Sequence, residues 1–404
     1  MADMTSERSV ATTTAPVNPR TGRPAGWAQA SVLLVAACLP VLGAVLLAPG
    51  LPSMTRAFAD TAGASVLVPL VLTAPALLIG LTAPFAGRVA DRVGRTGLLT
   101  VALLLYAIVG TAPLYLPSLT LILASRVLVG LAEAAIMTCC TALLADYFHG
   151  PARQRMLGLQ GVVMSVAAIV FVAVAGALIA TGWQTPFWLY LVSIPLALLA
   201  PLVLWRPVAG EHVEQLPALP WRSFVRPVGV TLVGGVLFYV AVVELSYRLD
   251  ELGVTSASSI GLISALLSLS SALVSWSFGR LSRLGSRVVV PAAFALLGVA
   301  YVGIGLAPSA PIVVVFTLVA GLGSGLLLPS LLSWTLTGLS YAQRGRGTGF
   351  WVAALFLGEF ICPLAILALN AALGGLGMAI CAAGVLSLAV AALARRLTKV
   401  TAGR

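Results

Sequence analysis

The chain has 404 residues, 60% of them hydrophobic and 9% charged, with a formal net charge of +11. A soluble domain carries roughly 25% charged residues, so this composition cannot furnish a water-facing surface and excludes a soluble globular protein. At about 20 apolar residues per crossing, the length allows about a dozen membrane crossings with short loops.

Residues 1–26 are polar and rich in Thr, Pro and Arg, and read as a disordered cytoplasmic N-terminus. No cleavable leader is recognisable, and the first apolar run, 27–50, reads as a retained membrane helix. Further apolar runs fall at 65–86, 97–116, 118–146, 157–181 and 186–205, then at 227–247, 257–278, 288–307, 311–337, 348–369 and 375–394. The longest inner connection, 206–226, holds Glu211, His212 and Glu214 and divides the runs six and six. The expected organisation is an all-α membrane protein of 12 transmembrane helices in two pseudo-symmetric six-helix bundles. Those bundles are 27–205 and 227–394, joined by a cytoplasmic linker and followed by a cytoplasmic tail, 395–404.

Charge placement gives an orientation. With the N-terminus cytoplasmic, twenty of the 23 Lys and Arg fall on inner segments, as the positive-inside rule requires. Arg56 and Arg248 fall outside, and Arg126 lies within a span. The positive charge is therefore a topology signal and not a nucleic-acid surface. Both termini are placed inside an inner, bacterial-type membrane.

The five cysteines, Cys38, Cys139, Cys140, Cys362 and Cys381, all lie in apolar runs and read as small buried hydrophobes. No Cys-x-x-Cys pair or His/Cys cluster points to a metal or cofactor. His149 and His212 both lie in inner loops. No Gly-x-x-x-x-Gly-Lys loop occurs and the single lysine is Lys399, so ATP is not an expected partner. A membrane enzyme would need a nucleophile or metal site that the pattern lacks, so no enzymatic activity is expected.

Two related charged hairpins stand out. Gly87-Arg88-Val89-Ala90-Asp91-Arg92-Val93-Gly94-Arg95 separates the second and third runs, and Gly279-Arg280-Leu281-Ser282-Arg283-Leu284-Gly285-Ser286-Arg287 separates the eighth and ninth. With the spacing Gly-x-x-x-Asp-Arg-x-Gly-Arg, the first resembles the signature loop of the major facilitator superfamily. Arg126-Val127-Leu128-Val129-Gly130 through Glu133 resembles that family's helix 4 motif. Leu42-Gly43 with Pro49-Gly50-Leu51-Pro52 resembles its twelve-span drug:proton antiporter branch, and Gly182-Trp183-Gln184-Thr185-Pro186-Phe187 its helix 5–6 junction. One departure is in helix 5, where Gly176 is present and the branch's following proline is not.

The resemblance implies a conformational latch made by Gly87, Asp91, Arg92, Gly94, Arg95 and Asp146. Asp91 would accept from unpaired N–H groups at the start of helix 11, near Gly347-Thr348-Gly349, where the helix dipole favours an anion. Arg92 and Arg95 would pair with Asp146. Gly87 and Gly94 permit a tight turn and close backbone approach. The second hairpin has Ser282 where the aspartate would be, so only one half keeps the anion.

Ionisable groups inside spans are costly, a few kcal/mol each, and so are candidates for function. Arg126 and Glu133 are seven residues apart, about 20° in azimuth and about 10.5 Å in height on a helix. They share a face yet are too distant for a direct hydrogen bond, and the resemblance places that face on a central cavity. Burial disfavours a charged Glu133 and Arg126 favours it, so this carboxyl can exchange protons. Glu359, halfway along helix 11, is the other deep carboxylate. Glu244 is four residues before Arg248, a spacing that allows an ion pair or attraction of a cationic substrate. Tyr239 and Trp334 are candidate pocket residues for flat or aromatic substrates, with Gln160 and Ser165 as weaker polar candidates.

Together these features predict a secondary active transporter, moving a small organic solute by alternating access around a midplane site. Proton-coupled efflux of an apolar or cationic compound is the leading expectation. Proton-linked uptake of a small metabolite, or a membrane sensor that no longer transports, are the alternatives. The expected partners are the solute, protons and the lipid bilayer.

Overall fold

The computed structural model describes residues 22, 24–206, 219–337 and 339–400. Among them, twelve helices are long and apolar enough to cross a bilayer. Spans 1–6 are Trp27–Ala57, Ala64–Val93, Arg95–Leu114, Leu119–Tyr147, Gly150–Ile179 and Thr185–Val203. Spans 7–12 are Phe224–Glu251, Ala257–Leu284, Ser286–Leu306, Ala310–Leu336, Gln343–Leu373 and Leu376–Arg396. All twelve expected runs are therefore found. Most of the expected linker, with Glu211, His212 and Glu214, lies outside the described residues, as does nearly all of the N-terminal segment. The helix of span 7 begins at Trp221, ahead of the expected start at 227.

Span 1 is not one helix. It runs as Trp27–Ala36, Leu39–Val45, a 3-10 turn Ala48–Gly50, and Leu51–Ala57. Pro40, Pro49 and Pro52 each sit at the first or second position of a new segment, where a missing N–H breaks no bond. Carbonyls released by the breaks need donors in a medium without water. Tyr239 of span 7 donates to the Ala44 carbonyl at 2.9 Å, and Tyr106 adds a second donor to the in-helix Leu39 carbonyl at 2.6 Å.

The two charged hairpins fold alike. Each turns on a glycine in the left-handed region, Gly94 at φ +96° and Gly285 at φ +77°, which a side chain would strain. Packing between spans relies on small residues, as expected where lipid removes the hydrophobic drive for helix association. Gly130 lies on the backbone of Pro75, Gly298 faces Gly384, and Gly305 faces Gly377. Large side chains such as Leu202, Phe85 and Trp276, the last 81% exposed, cover the outside, where a bilayer supplies the apolar surroundings.

Spans 1–6 and 7–12 form two bundles, and each has an arginine-rich end and an arginine-poor end. At the arginine-poor end the bundles are closed on each other. Arg56 binds Asp250 at 2.9 Å, Thr55 and Tyr247 share a hydrogen bond at 3.0 Å, and Gly176 of span 5 meets Gly261 of span 8. Towards the arginine-rich end spans 5 and 8 part. A Cβ placed on Gly158, Gly161 or Gly279 would meet nothing within 4 Å. Spans 2 and 11 stay in contact there, through Gly80 on Leu357 and Gly349 on Ala83 and Pro84.

Candidate functional site: a central cavity with two carboxylates

Between the bundles lies a cavity of about 420 Å³. Spans 1, 2, 4 and 5 line it from one side and spans 7, 8, 10 and 11 from the other. Most of the wall is apolar, with Leu72, Ile79, Met137, Met164 and Phe238 among its residues.

Glu133 and Glu359 enter this apolar wall from opposite bundles. They are 2% and 5% exposed, and neither has a hydrogen-bond or ion-pair partner among the described residues. Oε1 of Glu133 is sealed from solvent and unpaired. The carboxylate fits there because position 43 has no side chain, and a Cβ on Gly43 would overlap it. An unsatisfied buried carboxylate is expensive when charged. A proton or a cation would relieve that cost.

Arg126 does not serve as that cation. Its Nη1 donates to Tyr190 at 2.8 Å, and its Nη2 to the carbonyls of Val109 and Gly110 at 3.0 Å each. The guanidinium also lies 5.2 Å from the ring centre of Phe187 and 4.9 Å from that of Tyr190. Spans 3 and 6 therefore hold it, and it is absent from the cavity wall. The shared face expected for Arg126 and Glu133 does not give them a direct contact, because Tyr190 and the end of span 3 capture the guanidinium first.

Several other expectations change. Glu244 does not pair with Arg248, which binds Glu251 at 2.9 Å and the carbonyls of Ile304, Gly305 and Ala307. Trp334 is buried in the bundle core and does not line the cavity. Gln160 donates to Thr141 at 3.2 Å, and Gly161, Met164, Ser165 and Ala168 face the cavity instead. Tyr239 does line it. The sequence reading missed Ser268, Ser271 and Ser275 of span 8, whose i, i+3, i+7 spacing puts them on one face.

The hairpin is built partly as the resemblance implies. Arg95 bridges two carboxylates, Asp91 at 2.7 Å and Asp146 of span 4. Arg92 is exposed and takes no part in that bridge. Asp91 does not cap span 11 in this conformation. That helix begins at Tyr341, with Ser340 as its N-cap, so Gly347-Thr348-Gly349 lies inside the helix and has no free N–H groups to offer. Gly94 makes the turn, while Gly87 touches nothing that a side chain would disturb.

Comparison with known proteins adds three kinds of finding. The family model described as Major Facilitator Superfamily matches residues 33–247. The bacillibactin exporter of Bacillus subtilis is 26% identical over 346 residues, 80% of this chain and 85% of that protein. The class C tetracycline resistance protein of Escherichia coli is 28% identical over 53% of this chain and 54% of its own. A triacylglyceride transporter of Mycolicibacterium smegmatis is 30% identical over 161 residues, and that match spans 26% of its length. Among solved structures, a bacterial homolog of the human lysosomal transporter Spinster superposes with a TM-score of 0.74 at 17% identity, over 93% of this chain and 99% of that one. The human organic anion transporter MFSD10 superposes with a TM-score of 0.69 at 19% identity, over 93% and 100%.

Proposed function

The chain belongs to the Major Facilitator Superfamily, and from that premise we propose that it exports an apolar or cationic organic compound in exchange for protons. The protein is an integral membrane transporter of twelve spans. Two of its relatives are named as a bacillibactin exporter and a tetracycline resistance protein, which favours export.

The observation that carries the reading is the pair Glu133 and Glu359. One comes from each bundle, both face a single apolar cavity, and among the described residues no arginine or lysine forms an ion pair with either. A protonated pair leaves an uncharged cavity suited to apolar cargo, and a deprotonated pair attracts cationic cargo. Proton and cargo then compete for the same carboxylates, so loading one displaces the other. In this conformation the bundles are closed at the arginine-poor end and parted between spans 5 and 8 at the other. With the arginine-rich end in the cytoplasm, the cavity receives cargo from inside. Rocking the bundles about the cavity would expose the same carboxylates to the more acidic exterior, where protonation releases a cation. Arg95, between Asp91 and Asp146, braces the hairpin during that motion.

The test is proton movement in proteoliposomes containing purified protein. An imposed pH gradient is followed with a pH-sensitive dye while lipophilic cations, neutral antimicrobials and small organic anions are added. Cargo-evoked proton flux opposite to cargo movement, weakened in Glu133→Gln and absent in Glu133→Gln/Glu359→Gln, supports antiport. Flux of both in the same direction assigns uptake instead, and cargo movement without protons refutes coupling.

A further inference from the structure

A second, smaller cavity of about 260 Å³ lies at the arginine-poor end, outside the central site. Thr55 of span 1 and Ser65 and Pro69 of span 2 form one wall. Glu244 and Tyr247 of span 7, Pro363 and Asn370 of span 11, and Leu376 of span 12 form the other. The cavity therefore spans the seam between the bundles, next to the Arg56–Asp250 and Thr55–Tyr247 contacts.

The charges around it are unequal in standing. Asp250 and Glu251 both reach the cavity, and each already has an arginine: Arg56 for the first and Arg248 for the second. Glu244 has none. It is 6% exposed, has no hydrogen-bond partner among the described residues, and lines the cavity. The two nearby guanidiniums are both committed elsewhere, Arg248 to three carbonyls as well. One uncompensated carboxylate is left, sharing the cavity lining with Thr55, Ser65, Tyr247 and Asn370.

We infer that this cavity is a second binding site that takes a small alkylammonium ion, its charged head on Glu244 and its apolar tail against Pro363, Ile366 and Leu367. Size and lining argue for this class over a bare metal ion. The volume is several times the ~30 Å³ share of one water. A bare alkali or alkaline-earth ion would want about six oxygens close around it and would leave the apolar wall unused. A primary ammonium offers three N–H donors, which match the carboxylate and the neutral oxygens beside it. Because both bundles form the walls, an occupant ties them together at the arginine-poor end and favours the closed seam. This site needs neither Glu133 nor Glu359, so it stands or falls apart from proton coupling.

The test is equilibrium binding of radiolabelled n-propylammonium to the full chain in nanodiscs, with wild type, Glu244→Gln, Glu244→Asp and the double variant Glu133→Gln/Glu359→Gln. The double variant, with its central carboxylates removed, should retain one saturable site per chain, and wild type should show that site beside any cation held in the central cavity. Affinity should fall at least tenfold in Glu244→Gln and less in Glu244→Asp, with all four proteins monodisperse on size exclusion. Propanol, the uncharged analogue, should not compete, and neither should sodium at equal concentration. Absence of saturable binding in wild type, equal binding in a well-folded Glu244→Gln, or loss of binding in the double variant alone would overturn the assignment. Competition by sodium as strong as by propylammonium would overturn the choice of ligand.

Discussion

The phenolic oxygen of Tyr190 accepts a hydrogen bond from Arg126 at 2.8 Å, while its ring lies against the same guanidinium. With the carbonyls of Val109 and Gly110, this places a full positive charge inside the first bundle without any carboxylate partner. Arg126 is thereby a brace between spans 3, 4 and 6, and Glu133, one helical stretch away, is left without an ion-pair partner among the described residues.

That arrangement makes Arg126 a stability residue first. Arg126→Ala should lower the thermal midpoint in detergent markedly, on the order of 3 kcal/mol, by stranding two carbonyls and a hydroxyl. Tyr190→Phe, which removes one acceptor, should cost about 1–2 kcal/mol. Melting curves followed by tryptophan fluorescence would compare them. An Arg126→Ala protein that melts like wild type would show that water replaces the guanidinium.

Glu133→Gln and Glu359→Gln keep shape and remove charge. Each should weaken the pH dependence of cargo flux in proteoliposomes, and the double variant should abolish it. Exchange of an uncharged cargo across the membrane at equal pH should persist, since that needs cavity opening and neither a carboxylate charge nor net proton transfer. Full pH dependence in the double variant would move coupling elsewhere.

Two glycine substitutions should fail differently. A methyl at Gly43 meets the end of a side chain, the Glu133 carboxylate, which can rotate away. Gly43→Ala should therefore fold and transport poorly. A methyl at Gly130 meets the backbone of Pro75, which cannot yield without moving span 2. Gly130→Ala should lose folded protein on size exclusion. The reverse pattern would contradict the packing described.

The seam at the arginine-poor end should be adjustable. Arg56 is about half exposed in its pairing with Asp250, so the bridge should contribute under about 1 kcal/mol. Arg56→Ala should shift the balance between closed and open seams by up to about fivefold. Double electron–electron resonance between labels on spans 1 and 7 would measure the shift. The exchanged pair Arg56→Asp with Asp250→Arg should restore the wild-type distance distribution.

Asp91→Asn should slow transport while leaving insertion intact, because Arg95 would lose one of its two carboxylates. Asp146→Asn should act in the same direction. Initial rates normalised to protein in the membrane provide the measurement, and an unchanged rate for both would reduce the hairpin to a topology marker.

The spans and the two deep carboxylates were legible in the sequence because each depends on local properties. Twenty apolar residues in a row announce a crossing, and a lone glutamate inside such a row announces a site. What escaped depends on relations between helices. Nothing near Arg126 in sequence reveals that Tyr190 and the end of span 3 hold it. The Glu244–Arg248 spacing suits an ion pair, yet Glu251 and the carbonyls at the end of span 9 win the arginine. Gln160 is one residue, about 100°, from the face that Gly161 and Ser165 present. Helix rotation of that size leaves no mark in composition.

Gly176 and Gly261 meet backbone to backbone, with no side chain on either to interlock. Interdigitated leucines would have to be lifted over one another before two helices could shift. Bare backbones instead behave as a bearing: contact is intimate, held by dispersion, weak Cα–H···O attraction and one hydrogen bond from the Ser258 hydroxyl to the Gly176 carbonyl at 3.3 Å, and offers little corrugation against sliding. Spans 5 and 8 can therefore pivot as the cavity changes sides with little frictional barrier at this point. Any side chain added there would act as a brake on turnover, even where it left the resting structure standing.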